Sequence, residues 1–154
     1  MDTDGTTGVF ARAYDEPNRV VQVGFAGGRA IAISFPGTVP DDATTEHVLL
    51  DRIGDYLRGE RETFGDVDTG LTVPSDQRRV LEAVAGVPYG ESVSLSRVTR
   101  LAGLDDNDPD DLEFVTTALR GNPIPILIAD HRVEGGPYAT PAELRTTLRR
   151  VEGI

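Results

Sequence analysis

Cysteine is absent from the 154 residues, which excludes disulfide bonds, thiolate metal sites and a thiol nucleophile. Lysine is absent as well: all 15 basic side chains are arginine, set against 26 acidic ones for a formal net charge of −11. No apolar run approaches the roughly 20 residues of a membrane-spanning helix. Met1-Asp2-Thr3-Asp4-Gly5 carries no secretory signal pattern, so a soluble, cytoplasmic chain is expected. Internal repeats and low-complexity tracts are missing too.

What is present is enough for a core, at 38% apolar residues. An acidic chain without lysine is similar in composition to proteins of salt-loving archaea. At about 1 M salt the Debye length is only about 3 Å, so net charge then says little about partners. At ordinary salt the same charge argues against nucleic acid.

Residues 8 to 35 carry strand character. Val9 and Phe10 are followed by Val20–Phe25, a turn at Ala26-Gly27-Gly28, and Ile31–Phe35, which predicts a hairpin. A helix opening at Thr44–His47, with Val48, Leu49, Ile53, Tyr56 and Leu57 on one face, covers it. Residues 58 to 72 are polar and suit a connection, so two lobes are expected, 1–70 and 71–154. In the second, Ser75 is placed to cap a helix that buries Val80, Leu81 and Val84. Ser94 caps a short helix with Leu95, Val98, Leu101 and Ala102 inward. An acidic turn, Asp105 to Asp111, leads to a third helix burying Leu112, Val115 and Leu119, which completes a helix-turn-helix. Thr140-Pro141-Ala142-Glu143 has the form of a capping box for a last helix with the stripe Leu144, Leu148 and Val151. Arg120 to Val133 stands apart: Ile124, Ile126, Leu127 and Ile128, with two prolines, predict a buried strand-like segment ending in Asp130, His131 and Arg132.

Three stretches in order resemble the O6-alkylguanine-DNA alkyltransferase family. Asn122-Pro123, Pro125 and His131-Arg132-Val133 match the family's Asn-Pro to Pro-Cys-His-Arg-Val segment, with Ala129-Asp130 in place of Pro-Cys. Val87–Ser94 is similar to the family's Pro-Tyr-Gly-Glu-Thr-Val-Ser, and Val151-Glu152-Gly153 to its end. The resemblance implies an α+β fold, with a small N-terminal antiparallel sheet and covering helix, ribonuclease H-like, followed by a mainly helical lobe of winged-helix type. It implies duplex DNA as partner and an alkylated guanine flipped out of the stack. Asp130 then stands at the nucleophile position, supported by Asn122, His131 and Glu152. The DNA-facing and base-facing positions are Leu95 and Ser96, where the family has tyrosine and glycine, Glu113 at its arginine finger, and Arg120, Arg132, Tyr138 and Ala139.

The substitutions decide what activity to expect. A carboxylate is a far weaker nucleophile than a thiolate toward a methyl group, and Glu113 is a poor wedge among phosphates. Residues 73–154 hold 13 acidic and 9 basic residues, and Arg78, Arg79, Arg97, Arg100, Arg120 and Arg132 form no stripe by counting. The expectation is a monomeric, non-catalytic alkyltransferase-like protein that binds O6-alkylguanine DNA and assists its repair, with protein partners in that pathway. Two alternatives stand beside it: a homologue that has lost DNA recognition and serves as an interaction protein, and an enzyme in which Asp130 takes the alkyl group as an ester that His131 helps hydrolyse. Asn122, His131 and Glu152 also have a plain structural reading, as buried polar groups that hold turns. Asp130 then pairs with Arg132 or a helix N-terminus. Asp130, His131 and Glu134 lack a third spaced partner, so no metal and no cofactor are expected.

Overall fold

The computed structural model describes residues 7–15 and 17–154. Three antiparallel strands, β1 (Gly8–Asp15), β2 (Asn18–Ala26) and β3 (Arg29–Ser34), form a sheet in the order β1-β2-β3. Alternation sets its buried face: Val21, Val23 and Phe25 point inward with Ala30 and Ile33, while Gln22 and Gly24 between them do not. Gly27 and Gly28, at φ +57° and +83°, supply the left-handed pair that a two-residue hairpin turn needs. Helix α1 (Val48–Leu57) covers this face with Leu49, Leu50, Ile53, Tyr56 and Leu57. Its Gly54 lets the Tyr14 ring approach, since a Cβ there would sit 3.2 Å from it, and the Tyr14 hydroxyl donates to the Leu50 carbonyl at 2.7 Å.

Both sheet edges are occupied by chain, which removes the usual hazard of open strand edges. Thr44 exchanges hydrogen bonds with Val9 and Ala11 along β1. Along β3, Ala30 pairs with Asp68 and Gly70, and the Ile33 amide donates to the Pro123 carbonyl at 2.8 Å. That last bond ties the sheet to the segment carrying Asp130.

The second half contains α2 (Ser75–Ala85), α3 (Leu95–Leu101), α4 (Pro109–Arg120) and α5 (Ala142–Glu152). A two-residue parallel pair joins β4 (Val93–Ser94) to β5 (Val133–Glu134). Helices α2, α3 and α4 pack together, and their inward residues join those of α1 and the sheet in one apolar cluster. None of these helices is long and apolar enough to cross a membrane.

Five sequence expectations are corrected. Val48, expected on the covering face of α1, is 45% exposed at its first turn. Ser75 is the first residue of α2 rather than its cap, a place taken by Pro74 without a side-chain hydrogen bond. Leu101 is 52% exposed, because α3 ends there and its stripe turns outward. The capping box at 140–143 does not form: Pro141 takes the cap position, and the Thr140 hydroxyl is drawn away to Asp130. Residues 124–128 are buried but not a strand. Two prolines remove ladder donors, and Ile126 sits at φ +79°, so the backbone turns repeatedly and closes on itself through Ile128 N to Ile124 O at 2.9 Å.

His47 anchors α1 from an aromatic nest. Its Nδ1 accepts the Leu49 amide at 2.9 Å, and its ring lies 4.7 Å from those of Phe10 and Phe25. Burial holds its pKa below the ordinary 6.5, against the raising influence of Asp51. The neutral form is therefore the one folding favours: the stabilisation is full above pH 6.5 and is lost as pH falls through the lower folded value. Urea titrations across pH 7 to 5 will show the wild-type midpoint falling more steeply than that of His47→Asn, which keeps a capping oxygen and cannot titrate. In the same assay Ile53→Ala, at a fully buried position, costs about 2–5 kcal/mol.

Candidate functional site

The buried run ends in a single 3-10 turn, Asp130–Arg132, whose three ionisable side chains all point inward. Burying three such groups together is tolerable only if each finds a partner. Asn122 before it, the approach to α5, the far end of α5, Tyr56 of α1 and the Val87 carbonyl provide them.

Asp130 has no exposed surface. One carboxylate oxygen accepts the Thr140 hydroxyl at 2.7 Å, and the other accepts the Ala139 amide at 2.8 Å with Asn122 Nδ2 at 3.3 Å. The carboxylate thus sits against the chain entering α5, and it does not touch Arg132, one of the two partners expected for it. Asn122 also donates to the Ile128 carbonyl at 3.0 Å and accepts the Ile124 amide at 3.1 Å, so it pins both ends of the turn segment.

His131 and Arg132 meet at Glu152, the last residue of α5. Arg132 donates Nε to one carboxylate oxygen at 2.8 Å and Nη2 to the other at 3.0 Å, while Nη1 reaches the Val87 carbonyl at 2.8 Å. This bidentate fork takes Arg132 out of any positive DNA-facing surface. His131 Nε2 lies 2.7 Å from Glu152 and 3.0 Å from the Tyr56 hydroxyl, which itself donates to Glu152 in a short bond. The Gly90 amide adds another donor at 2.9 Å. These partners place the imidazole hydrogen on Nε2. Nδ1 is buried without a hydrogen-bond partner among the described residues.

Burial pushes the Glu152 carboxyl up, but the bonds from His131, Arg132, Tyr56 and Gly90 outweigh it and hold its pKa well below the carboxylate range. Burial, together with the hydrogen bond and negative charge of Glu152, pushes the Tyr56 phenol up. Glu152 is therefore ionised and Tyr56 is a donor at any working pH.

The other sequence-predicted positions are scattered. Tyr138 and Ala139 flank the Asp130 acceptor; the Tyr138 ring lies under the Arg145 guanidinium at 4.1 Å, and only glycine fits at 136, where a Cβ would be 2.6 Å from that ring. Leu95 is half-buried against the core, its carbonyl taken by the Thr99 hydroxyl, and Ser96 is half-buried beside it. Glu113 and Arg120 are exposed on α4, on the stripe with Asp110, Phe114 and Thr117, and neither shares a hydrogen bond with the Asp130 cluster. Sequence reasoning missed Tyr56 and Thr140. A tyrosine on a fully buried helical stripe must find a partner for its hydroxyl, and that signal was available. Among the described residues no group of three His, Asp or Glu side chains is placed to hold a metal ion.

The cluster lies in the half of the chain that also carries the packed helices α2, α3 and α4. Residues 75–151 match the family profile described as 6-O-methylguanine DNA methyltransferase, DNA binding domain. The methylated-DNA–protein-cysteine methyltransferase of Methanopyrus kandleri is 30% identical over 128 residues, covering 80% of this chain and 93% of the relative. That of Metallosphaera sedula is 31% identical over 109 residues, covering 68% and 66%. The Mycobacterium tuberculosis O6-methylguanine methyltransferase crystal structure superposes with a TM-score of 0.73 at 22% identity, covering 95% and 94% of the two chains. The OGT of the same organism in complex with DNA superposes at 0.72 and 21%, covering 94% and 92%. The chain belongs to the 6-O-methylguanine DNA methyltransferase family, and its 154 residues include no cysteine.

Removing the Glu152 charge leaves a buried guanidinium without its fork. Glu152→Gln will lose about 3–5 kcal/mol in denaturant unfolding. Because the folded pKa is depressed, the wild-type contribution is present above the unfolded value near 4.3 and disappears as pH falls below it. The variant will therefore lack that acid limb of the stability profile.

Proposed function

We propose that this chain is a non-transferring member of the family, which binds duplex DNA carrying an O6-alkylguanine and holds the lesion for other repair proteins. The observation that carries the absence of transfer is the state of Asp130: no exposure, with three donors on roughly four acceptor sites. Attack on an alkyl carbon would require a lone pair that the carbon can reach, so the buried carboxylate would have to turn out of its hydrogen bonds, each of which costs about 1.5–3 kcal/mol to give up. The carboxylate takes over the place of the acceptor and works as a structural pin, with Asn122, His131 and Glu152 kept as the supports of the same turn.

DNA binding is supported by the match across 75–151 and by the paired helices α3 and α4. In this reading Leu95, Ser96, Arg120, Tyr138 and Ala139 are the positions nearest the strand and the base, the two lobes divide near residue 70, and the protein acts as a cytoplasmic monomer. A second reading, a homologue whose partner is a protein, draws on the exposed stripe of α4, where Asp110 and Glu113 flank Phe114 and would face phosphates unfavourably.

Fluorescence anisotropy of a labelled duplex with one O6-methylguanine, against the same duplex with guanine, separates the two readings when repeated over a potassium chloride series. The expected result is tighter binding to the lesion at every salt, with both affinities falling as salt rises. Equal binding of both duplexes would overturn lesion recognition, and no binding at any salt would favour the protein-partner reading. Intact mass after incubation with the methylated duplex will stay unchanged and the DNA will stay methylated. A methyl gain that disappears in Asp130→Asn would instead establish Asp130 as an acceptor.

A further inference from the structure

Away from Asp130, a cavity of about 240 Å³ opens between the connection, α2 and the turn segment. Its apolar floor includes Phe64, Leu71, Ile124 and Leu127, and Arg78 and Glu82 stand at its rim. An apolar cavity of ~150 Å³ holds one benzene ring, so this one has room for a heterocycle of one or two rings.

Phe64, at φ +57°, lines one wall, and the turn segment that supplies Ile124, Leu127 and Ile128 to the other is shaped by Ile126 behind it, at φ +79°; these two are the only non-glycine residues among the described ones in left-handed backbone. For a β-branched residue that conformation is an outlier, and such strain persists only where the surroundings fix it, often at sites that bind. Here they do. Arg52 grips Glu62 at 2.7 and 2.9 Å and Asp66 at 2.8 and 3.0 Å, on either side of Phe64, and Glu62 also accepts the Thr63 and Phe64 amides. Ile126 is enclosed by the Asn122 and Ile128 bonds of its turn. The cavity is therefore set before any ligand arrives.

The rim selects the ligand. Arg78 donates one Nη to the Leu71 carbonyl rather than to Glu82, one helical turn away. The Glu82 carboxylate has no hydrogen-bond partner among the described residues. A donor and an acceptor thus stand side by side with cancelling charge: an anion would meet Glu82, a cation would meet Arg78, and a hydrocarbon would leave both unused. We propose that this cavity is a second binding site, which takes a small, neutral, flat lactam, a ring that presents a carbonyl oxygen to Arg78 and an adjacent N–H to Glu82. Pyrimidine and purine bases of the uracil and hypoxanthine type have this edge. The inference does not use Asp130 or DNA and stands independently of the reading above.

Titration of the folded, full-length protein with uracil and with hypoxanthine, followed by backbone amide shifts, tests it. Saturable shifts are expected at Thr69, Ala85 and Leu127, with affinity at least about ten-fold above that for 1,3-dimethyluracil, which has the carbonyls and no N–H. Sodium benzoate is expected not to saturate. Glu82→Ala, at an exposed helical position, is expected to abolish the preference for uracil over its dimethyl form while leaving the melting temperature unchanged, and Leu127→Trp, which fills the cavity, to abolish binding. The proposal is overturned if neither lactam saturates, if dimethyluracil binds equally, or if Glu82→Ala binds as the wild type does.

Discussion

One carboxylate holds the molecule's two halves in register. Glu152, at the end of the last helix, receives Tyr56 from the first helix, His131 and Arg132 from the 3-10 turn and the amide of Gly90 from the loop before α3. A buried guanidinium and a buried imidazole both depend on that single charge. Taking such groups out of water is costly, and the cost is offset only because every donor converges with good geometry. The consequence is that the backbone around the cluster is held from several sides: Arg132 fixes the Val87 loop, Arg149 donates to the His131 carbonyl at 2.6 Å, and the sheet contributes its own bond to Pro123.

Within that frame the buried carboxylate of Asp130 has a specific place. Asp130 does not stand idle at the end of a tuned cluster, and it does not disturb the cluster either. It turns toward the chain entering α5, where an amide and a hydroxyl are available, and leaves His131 and Arg132 to Glu152. A charged group can remain buried there only by being used up as an acceptor. On the surface, the stripe of α4 presents Asp110 and Glu113 beside an exposed Phe114.

Much of the fold was legible in the sequence because its signals are local. The Gly27-Gly28 turn between two β-branched runs, Ser94 as a cap, whose oxygen accepts the Arg97 amide at 3.1 Å, and the stripe Leu49, Ile53, Tyr56 and Leu57 of α1 are each decided within a few residues. The ordered motifs likewise placed the family, and they brought Asn122, Asp130, His131 and Glu152 to one region. What stayed hidden was decided by distant partners. Thr140 has the local pattern of a cap and is claimed instead by a carboxylate ten residues earlier. Arg132 has a near acidic neighbour in sequence, Asp130, and pairs with a far one. The run Ile124–Ile128 is as apolar as a strand, yet its prolines and the left-handed Ile126 make turns, a conformation that no hydrophobic period reports.

The central claim is that Asp130 is a structural acceptor tied to the start of α5. A double-mutant cycle of Asp130→Asn and Thr140→Val, read by denaturant unfolding, measures that tie directly. The account predicts a coupling of about 1–3 kcal/mol, with either single change removing most of it. Additive losses with no coupling would mean that the carboxylate does not hold Thr140, and Asp130 would then be free for the chemistry denied to it above.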